Sequence, residues 1–113
     1  MTPDRPPSFT QSDLFGGTGS VDIWNLRQVL CPPFSAVLWC SLEANGDVGR
    51  HRQQDDPEIV IGVSGEGVAQ VGGNEHHLIC GSMVYLPLGQ ALSIRNTHPT
   101  TPLVYLIIKA QTP

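Results

Sequence analysis

The sequence predicts an all-β fold, in which antiparallel strands form a sandwich or a barrel. Turn-forming residues recur roughly every eight to twelve positions, and almost no helical period lies between them. Charged residues make up only 14% of the 113-residue chain, which carries 12 Gly and 10 Pro, and this composition disfavours long solvated helices. A hydrophobic fraction of 40% is sufficient for one core. We therefore expect a loose N-terminal segment over residues 1–20 and a single domain over residues 21–113.

The first expected strands lie on either side of a proline pair. An apolar stretch over residues 21–30 opens the domain, and Pro32 and Pro33 end it because proline has no amide donor for a sheet. Residues 34–43 contain the aromatic and apolar side chains typical of a strand. The turn-forming residues at 44–47 close this strand.

A hairpin signal marks the second half of the chain. Residues 58–63 form an apolar strand, and the glycine-containing segment 64–67 reverses it. Two adjacent glycines at 72–73 then predict a hairpin between residues 68–71 and 76–80. The remaining strands are expected at 83–86, 91–95 and 103–110.

Charge and cysteine usage limit the partners and the compartment. The formal net charge is −4 and only six Lys and Arg residues are present, so no basic stripe is available for nucleic acid. No apolar run is long enough for a membrane span, and the first residues do not resemble a signal peptide. Cys31, Cys40 and Cys80 lack C-x-x-C spacing and have apolar neighbours, which predicts buried free thiols. We therefore expect a cytoplasmic protein that contacts neither nucleic acid nor membrane.

Two spaced patterns of glycine, proline, histidine and glutamate follow each other along the chain. The downstream pattern is Gly, five residues, Pro-x-Gly, two residues, Leu, three residues and Asn, formed by Gly81, Pro87, Gly89, Leu92 and Asn96. The upstream pattern is Gly, four residues, His-x-Gln, four residues, Glu, six residues and Gly, formed by Gly46, His51, Gln53, Glu58 and Gly65. The glycines and the proline stand where the chain must reverse between strands.

These patterns resemble the two motifs of the cupin superfamily, over about residues 34–110. There are three departures: the first gap of the upstream motif is one residue shorter, Gln53 replaces the second histidine, and Leu92 replaces the histidine of the downstream motif. The resemblance implies a small single-domain cupin, which is an antiparallel double-stranded β-helix or jelly-roll barrel. Cupins host many chemistries, so the resemblance does not specify one reaction.

The resemblance also implies a metal site, because three histidines and one glutamate hold a divalent ion in the family's motifs. At the matching positions this sequence keeps His51 and Glu58 and carries the amide of Gln53, while Leu92 has no donor atom. An amide oxygen binds transition metals more weakly than imidazole does. We therefore expect His51, Gln53 and Glu58 to hold a divalent ion such as Zn, Fe, Ni or Mn weakly, or to hold none.

Strand geometry supports a common site for these residues. His51 and Gln53 are two residues apart, so their side chains share the lumen face. A carboxylate in a barrel interior is costly unless it is paired, so an inward-facing Glu58 needs a metal, the imidazolium of His51 or its own proton. The alternative is that Glu58 lies at the barrel mouth in water. His51 and Glu58 are the catalytic candidates. The side chains expected to line the pocket are Leu92, Met83 and Tyr85.

Three other polar residues have less specific roles. Asp55 and Asp56 form a turn or, alternatively, provide a carboxylate that orients His51 as a general base. Asn96 follows a strand and is expected to satisfy the backbone groups of a loop.

Three functions of different classes remain open. The first is an enzyme, such as a metal-dependent oxygenase, an isomerase or a lyase, that acts on a sugar or an organic acid. The second is a non-catalytic barrel that binds a small molecule without a metal. The third is a structural or regulatory homodimer with a filled lumen. The stretch 21–30 and part of a sheet face are expected to form a C2 dimer interface, because an uncovered strand edge must be paired or shielded.

Overall fold

The structure is a computed structural model that describes residues 2–26, 31–52 and 55–111. These residues form ten strands and one short 3₁₀ turn at Leu14–Gly16. The strands are β1 Phe9–Ser12, β2 Ser20–Asn25, β3 Phe34–Leu42, β4 Asp47–Arg52, β5 Glu58–Ser64, β6 Gly67–Val71, β7 Asn74–Leu78, β8 Met83–Leu86, β9 Ala91–Asn96 and β10 Leu103–Ala110. The predicted all-β class is therefore confirmed. Among the described residues, no helix has the length and apolar character that a membrane crossing needs.

The strands form two antiparallel sheets that enclose the core. In the described part of the chain, one sheet has six strands in the order β1-β2-β3-β10-β5-β8, and the other has four in the order β4-β9-β6-β7. From β3 onward the chain crosses repeatedly between the sheets, and β10 returns to lie between β3 and β5. This arrangement is the predicted jelly-roll barrel.

Alternate residues of several strands supply the core. On β9 the side chains of Leu92 and Ile94 are buried, and on β10 those of Leu103 and Tyr105 are buried. Successive side chains of a strand point to opposite faces, so Ser93 of β9 faces away from the core. The lumen therefore receives side chains from both sheets.

Glycines allow the two turns on either side of β6. Gly72 has a φ of 58° and lies in the predicted hairpin between β6 and β7. Gly65 has a φ of 83°, and a Cβ atom there would lie 2.4 Å from the carbonyl oxygen of Pro102. A side chain at either position would be strained, so both turns depend on glycine.

The N-terminal part of the chain joins the barrel. Within residues 1–20, which the sequence analysis expected to be loose, β1 pairs with β2 and extends the six-stranded sheet. The strand expected over residues 21–30 is shorter, because β2 ends at Asn25 and residues 27–30 lie outside the described ranges. Since β1 covers one side of β2 and β3 the other, β2 is not the exposed edge strand that was expected.

The three cysteines differ in their exposure to solvent. Cys40 is buried on β3, whereas Cys31 and Cys80 are exposed, and all three are free thiols. The prediction of burial is therefore wrong for Cys31 and Cys80. Both lie outside the strands of the two sheets, where apolar sequence neighbours do not ensure a place in the core.

Asn96 joins loops at one end of the barrel. Its side chain is buried, and its Nδ2 donates hydrogen bonds to the carbonyl oxygens of Leu42, Glu43 and Thr101 at 3.2, 3.1 and 2.9 Å. Its Oδ1 accepts a hydrogen bond of 2.9 Å from the amide of His98. The predicted structural role of Asn96 is confirmed, because its polar atoms satisfy backbone groups of two separate loops.

Candidate functional site

A cavity of about 550 Å³ lies between the two sheets, and this volume is within the range of small-molecule sites. Its walls are mostly apolar and include side chains of both sheets. The polar and charged side chains among its lining residues are Gln11, His51, Arg52, Asp55, Glu58, Tyr105 and Lys109. The structure therefore brings the two catalytic candidates, His51 and Glu58, to one cavity.

His51 lies on β4, and its ring is covered by the N-terminal 3₁₀ turn. The ring stacks on Phe15 with centroids 4.0 Å apart and planes 16° apart. Burial lowers the pKa of His51 below its usual 6.5, although the hydrogen bond to Gly49 acts in the opposite direction. The imidazole is therefore neutral at pH 7. Its Nδ1 lies 3.2 Å from the Gly49 carbonyl oxygen, so Nδ1 carries the proton and Nε2 is an acceptor.

Glu58 begins β5 and is paired with a lysine of β10. The strand register places Glu58 opposite Lys109, and Glu58 Oε2 lies 3.7 Å from Lys109 Nζ. Glu58 is only 3% exposed, and its other oxygen, Oε1, has no hydrogen-bond partner among the residues that the structure describes. Burial raises the pKa of Glu58 above its usual 4.5, and the Lys109 ammonium partly offsets this rise.

Lys109 is a partner for Glu58 that the sequence analysis did not name. The candidates were a metal, the imidazolium of His51 or a proton, and the structure supplies an ammonium group instead. Lys109 is the only lysine of the sequence and interrupts an apolar run. A single charged residue in an otherwise apolar strand indicates that it has a partner of opposite charge, and this was the available sequence signal for the Glu58–Lys109 pair.

Two further titratable groups line the cavity. Cys40 on β3 and Tyr105 on β10 are cross-strand partners. Burial and, after it, the Glu58 carboxylate raise the pKa of Cys40 to about 12. Burial also raises the pKa of Tyr105 well above 10, with Cys40 and Glu58 acting in the same direction. Both groups stay protonated at neutral pH, so Cys40 is not an activated nucleophile.

Leu92 occupies the position at which the cupin motif has its last histidine. It is 1% exposed, lines the cavity and lies directly opposite His51 in the pairing of β9 with β4. Gln53, the remaining residue of the predicted metal site, lies outside the described residues.

The assignment of Met83 and Tyr85 to the pocket is wrong. They are 64% and 56% exposed and lie on the outer face of β8. Val84 and Leu86, which alternate with them, are buried instead. Because side chains alternate along a strand, both pairs cannot face the lumen.

The two aspartates lie near the cavity without orienting His51. Asp55 is part of the cavity lining. Asp56 accepts a hydrogen bond of 2.6 Å from Ser35 Oγ, which ties its loop to β3. Since Nδ1 of His51 bonds to the Gly49 carbonyl oxygen, the alternative in which an aspartate orients His51 is not supported.

The N-terminal segment contributes to the site, which was not predicted from the sequence. Phe9, Gln11, Leu14 and Phe15 all belong to the cavity lining. Three of them are large apolar residues in an otherwise polar segment. Such residues need a surface to pack on, and this was the signal available in the sequence.

The described side chains do not fit a tightly held divalent ion. His51 and Glu58 are two donors of the cupin set, but Lys109 engages the carboxylate of Glu58. In the ranges that the structure describes, no group of three or more His, Cys, Asp and Glu residues is arranged to hold a metal. A firmly bound transition metal needs at least about three protein ligands, and Leu92 cannot be one.

Comparison with known proteins identifies the family. The sequence matches the Cupin domain family over residues 38–109, and the chain therefore belongs to the cupin family. No curated protein matches the sequence.

Solved structures share the fold at low sequence identity. A predicted oxalate decarboxylase from Thermotoga maritima has a TM-score of 0.85 and 23% identity, covering 99% of this chain and 97% of its own. A cupin-like protein from Thermotoga maritima has a TM-score of 0.79 and 22% identity, covering 99% and 83%. KdgF from a Halomonas species has a TM-score of 0.66 and 14% identity, covering 81% and 80%. At these identities the similarity establishes the fold and no activity.

Proposed function

We propose that this cupin binds a small organic molecule in the cavity between its sheets. The observation that carries the proposal is the Glu58–Lys109 ion pair in the wall of a mostly apolar cavity of about 550 Å³. A buried ion pair contributes little net stability, but it is a polar anchor that can orient a ligand whose body packs on apolar walls. The sugar or organic acid expected from the sequence remains a prediction.

In this proposal Lys109 supplies the charge compensation that a metal would give to Glu58. The ammonium nitrogen lies 3.7 Å from Oε2, so the site needs no further cation to balance the carboxylate. A weak divalent site formed by His51, Gln53 and Glu58 is the alternative. A metal ion at that site would compete with Lys109 for the negative charge of Glu58.

A panel of small organic molecules tests the proposal by thermal shift, followed by calorimetry on each compound that stabilises the protein. Lys109→Met removes the charge and keeps an apolar stem, and we expect it to weaken binding by at least about tenfold. Arg50→Met is the matched control, because Arg50 is an exposed cation in a separate surface groove. Equal affinity in the parent and in Lys109→Met would contradict the proposal.

A catalytic role for His51 and Glu58 is the second candidate, which the neutral imidazole favours. Nε2 of His51 is an acceptor on a residue of the cavity lining, and such a group can take a proton from a bound ligand as a general base. Incubation of a bound compound in D₂O tests this role by NMR. In the parent protein we expect a carbon-bound proton of the compound to exchange with deuterium. His51→Gln should still bind the compound but should not catalyse this exchange. Exchange at an equal rate in His51→Gln would exclude His51 as the base.

We also propose that two copies of the chain associate through the outer face of the six-stranded sheet. Residues of β3, β10, β5 and β8 that point away from the cavity align in two apolar rows through the strand register. An apolar face of this extent is typical of an interaction surface. The first row contains Val37, Ile108, Ile59 and Tyr85, and the second contains Trp39, Leu106, Ile61 and Met83.

A further inference from the structure

The charged side chains of the cavity balance one another. Glu58 and Lys109 form one pair of opposite charges, and the exposed lining residues Arg52 and Asp55 add one charge of each sign. A divalent ion beside a single carboxylate would leave one net positive charge, which suits an anionic ligand. The ammonium of Lys109 beside the carboxylate of Glu58 leaves no net charge. The described lining residues therefore offer no excess charge for a charged ligand to neutralise.

The same groups have hydrogen-bonding capacity that the described residues do not use. Lys109 Nζ has three donor hydrogens, and its one ion-pair contact in the described chain is Glu58 Oε2 at 3.7 Å. Glu58 Oε1 is buried and has no partner within residues 2–26, 31–52 and 55–111, and Nε2 of His51 is an acceptor. Buried polar groups without partners cost free energy. Most of the remaining lining is apolar.

We infer that the ligand is a neutral, largely apolar molecule whose polar head both donates and accepts hydrogen bonds, such as an amide or a hydroxy ketone. The inference rests on the proposed function, that a small molecule occupies this cavity. A head that accepts from Lys109 and donates to Glu58 or His51 satisfies both kinds of group. A charged head would add an unbalanced charge inside the barrel, and such a charge is costly to bury.

Three probes with one apolar body and different heads test the inference: cyclohexanecarboxamide, cyclohexanecarboxylate and cyclohexylmethylamine, the last as its ammonium. Calorimetry at neutral pH measures each Kd, and NMR shifts of the His51 ring report binding in the cavity. We expect the carboxamide to bind at least about tenfold more tightly than either charged probe. A charged probe that binds as tightly overturns the inference and leaves the proposed function standing. If no probe binds and shifts His51, the proposed function fails and the inference with it.

Substitutions that remove one charge of the Glu58–Lys109 pair are expected to change which of the three probes binds most tightly. Glu58→Gln is nearly isosteric and leaves Lys109 unpaired, so the carboxylate probe should become the tightest binder. Lys109→Met leaves Glu58 unpaired and should favour the ammonium probe. If Lys109→Met does not fold, the affinities measured with Glu58→Gln are sufficient to test the inference. Arg50→Met should preserve the parent order, and an unchanged order in folded Glu58→Gln overturns the inference.

Discussion

Lys109 is half-buried in the cavity wall, and its positive charge compensates the buried carboxylate of Glu58. The substitution Lys109→Met is expected to destabilise the protein by about 2–3 kcal/mol at neutral pH, because it removes the cation that compensates the buried carboxyl of Glu58. Urea unfolding measures the change in the free energy of unfolding. Arg50→Met, which removes an exposed cation, should change it by less than about 0.5 kcal/mol.

This loss of stability is expected to depend on pH through Glu58. The folded-state pKa of Glu58 is raised above 4.5, so its contribution to stability is fully present below that pH and is lost as the pH rises through the folded pKa. The Lys109 ammonium lowers the pKa of Glu58 and so offsets part of the rise that burial causes. Removal of Lys109 therefore enlarges the loss of folding stability at neutral pH. Below about pH 4.5 the carboxyl is protonated in both states, and the parent and Lys109→Met should converge. A difference that persists unchanged at acidic pH would show that the charge of Glu58 is not its cause.

Phe15 controls the environment of the His51 ring. Burial is the main cause of the lowered pKa of His51, and Phe15 covers one face of the ring. Phe15→Ala is therefore expected to move this pKa upward toward 6.5, as measured by NMR titration of the ring protons. Phe34→Ala, which removes an exposed ring outside the cavity lining, is the control. Identical titration curves for the parent and Phe15→Ala would contradict the prediction.

Leu92 determines whether the barrel can assemble a metal site. It is opposite His51 in the pairing of β4 with β9, and directly opposed Cβ atoms lie about 5 Å apart, close enough for two imidazoles to share one ion. Leu92→His is therefore expected to raise the affinity for Ni²⁺ or Zn²⁺ by at least about tenfold, and adding Lys109→Met should raise it further by freeing Glu58. Calorimetry measures both changes.

The matched control for this substitution is Ser93→His, which places the imidazole on the opposite face of β9. It should leave the metal affinity at the parent's value. If Leu92→His folds and binds metal no better than Ser93→His, the residues at 51, 58 and 92 do not converge on one ion.

At the level of residues, the sequence was sufficient to place His51, Glu58 and Leu92 near the lumen, because short spacings within two motifs determine their strand positions. The same reasoning could not pair Glu58 with Lys109. Their contact depends on the register between β5 and β10, which are distant in sequence. Cross-strand register over such distances follows from the packing of the whole barrel.

At the level of elements, the sequence predicted the position of β8 at residues 83–86 but not which of its faces points inward. All four residues of β8 are apolar in composition, so the sequence did not indicate which pair faces inward. All four residues of β1 are exposed, so no buried face marked it as a strand. Glycine turns, by contrast, were predictable, because the positive φ at Gly65 and Gly72 restricts the residue type.

Asn96 connects the end of β9 to the turn after β3 and to the loop before β10. Asn96→Ala is expected to cost about 2–4 kcal/mol, because it leaves several buried backbone groups without partners. Urea denaturation should show a lower midpoint with an unchanged slope. Gln70→Ala, at an exposed position on β6, is the control. A cost below about 0.5 kcal/mol would mean that water replaces the lost amide.

At the level of the whole molecule, the apolar outer face of the six-stranded sheet predicts a dimer. Light scattering should give about twice the chain mass of 12.2 kDa. Ile61→Glu places a charge within the second apolar row and should yield the monomer, because an unpaired charge in an interface is costly. Gln70→Glu, on the other sheet, should leave the mass unchanged. A parent protein that measures 12.2 kDa at all working concentrations would exclude this interface.

The central place of β10 in its sheet has a consequence for synthesis. β10 lies between β3 and β5 although it follows all the other strands in the chain. Until the ribosome has synthesised β10, the neighbouring edges of β3 and β5 have no partner, and open edges of this kind invite intermolecular pairing. Contacts between distant segments also slow folding. The nascent chain is therefore expected to be most vulnerable to aggregation just before β10 emerges, which is the stage at which a chaperone would protect it most.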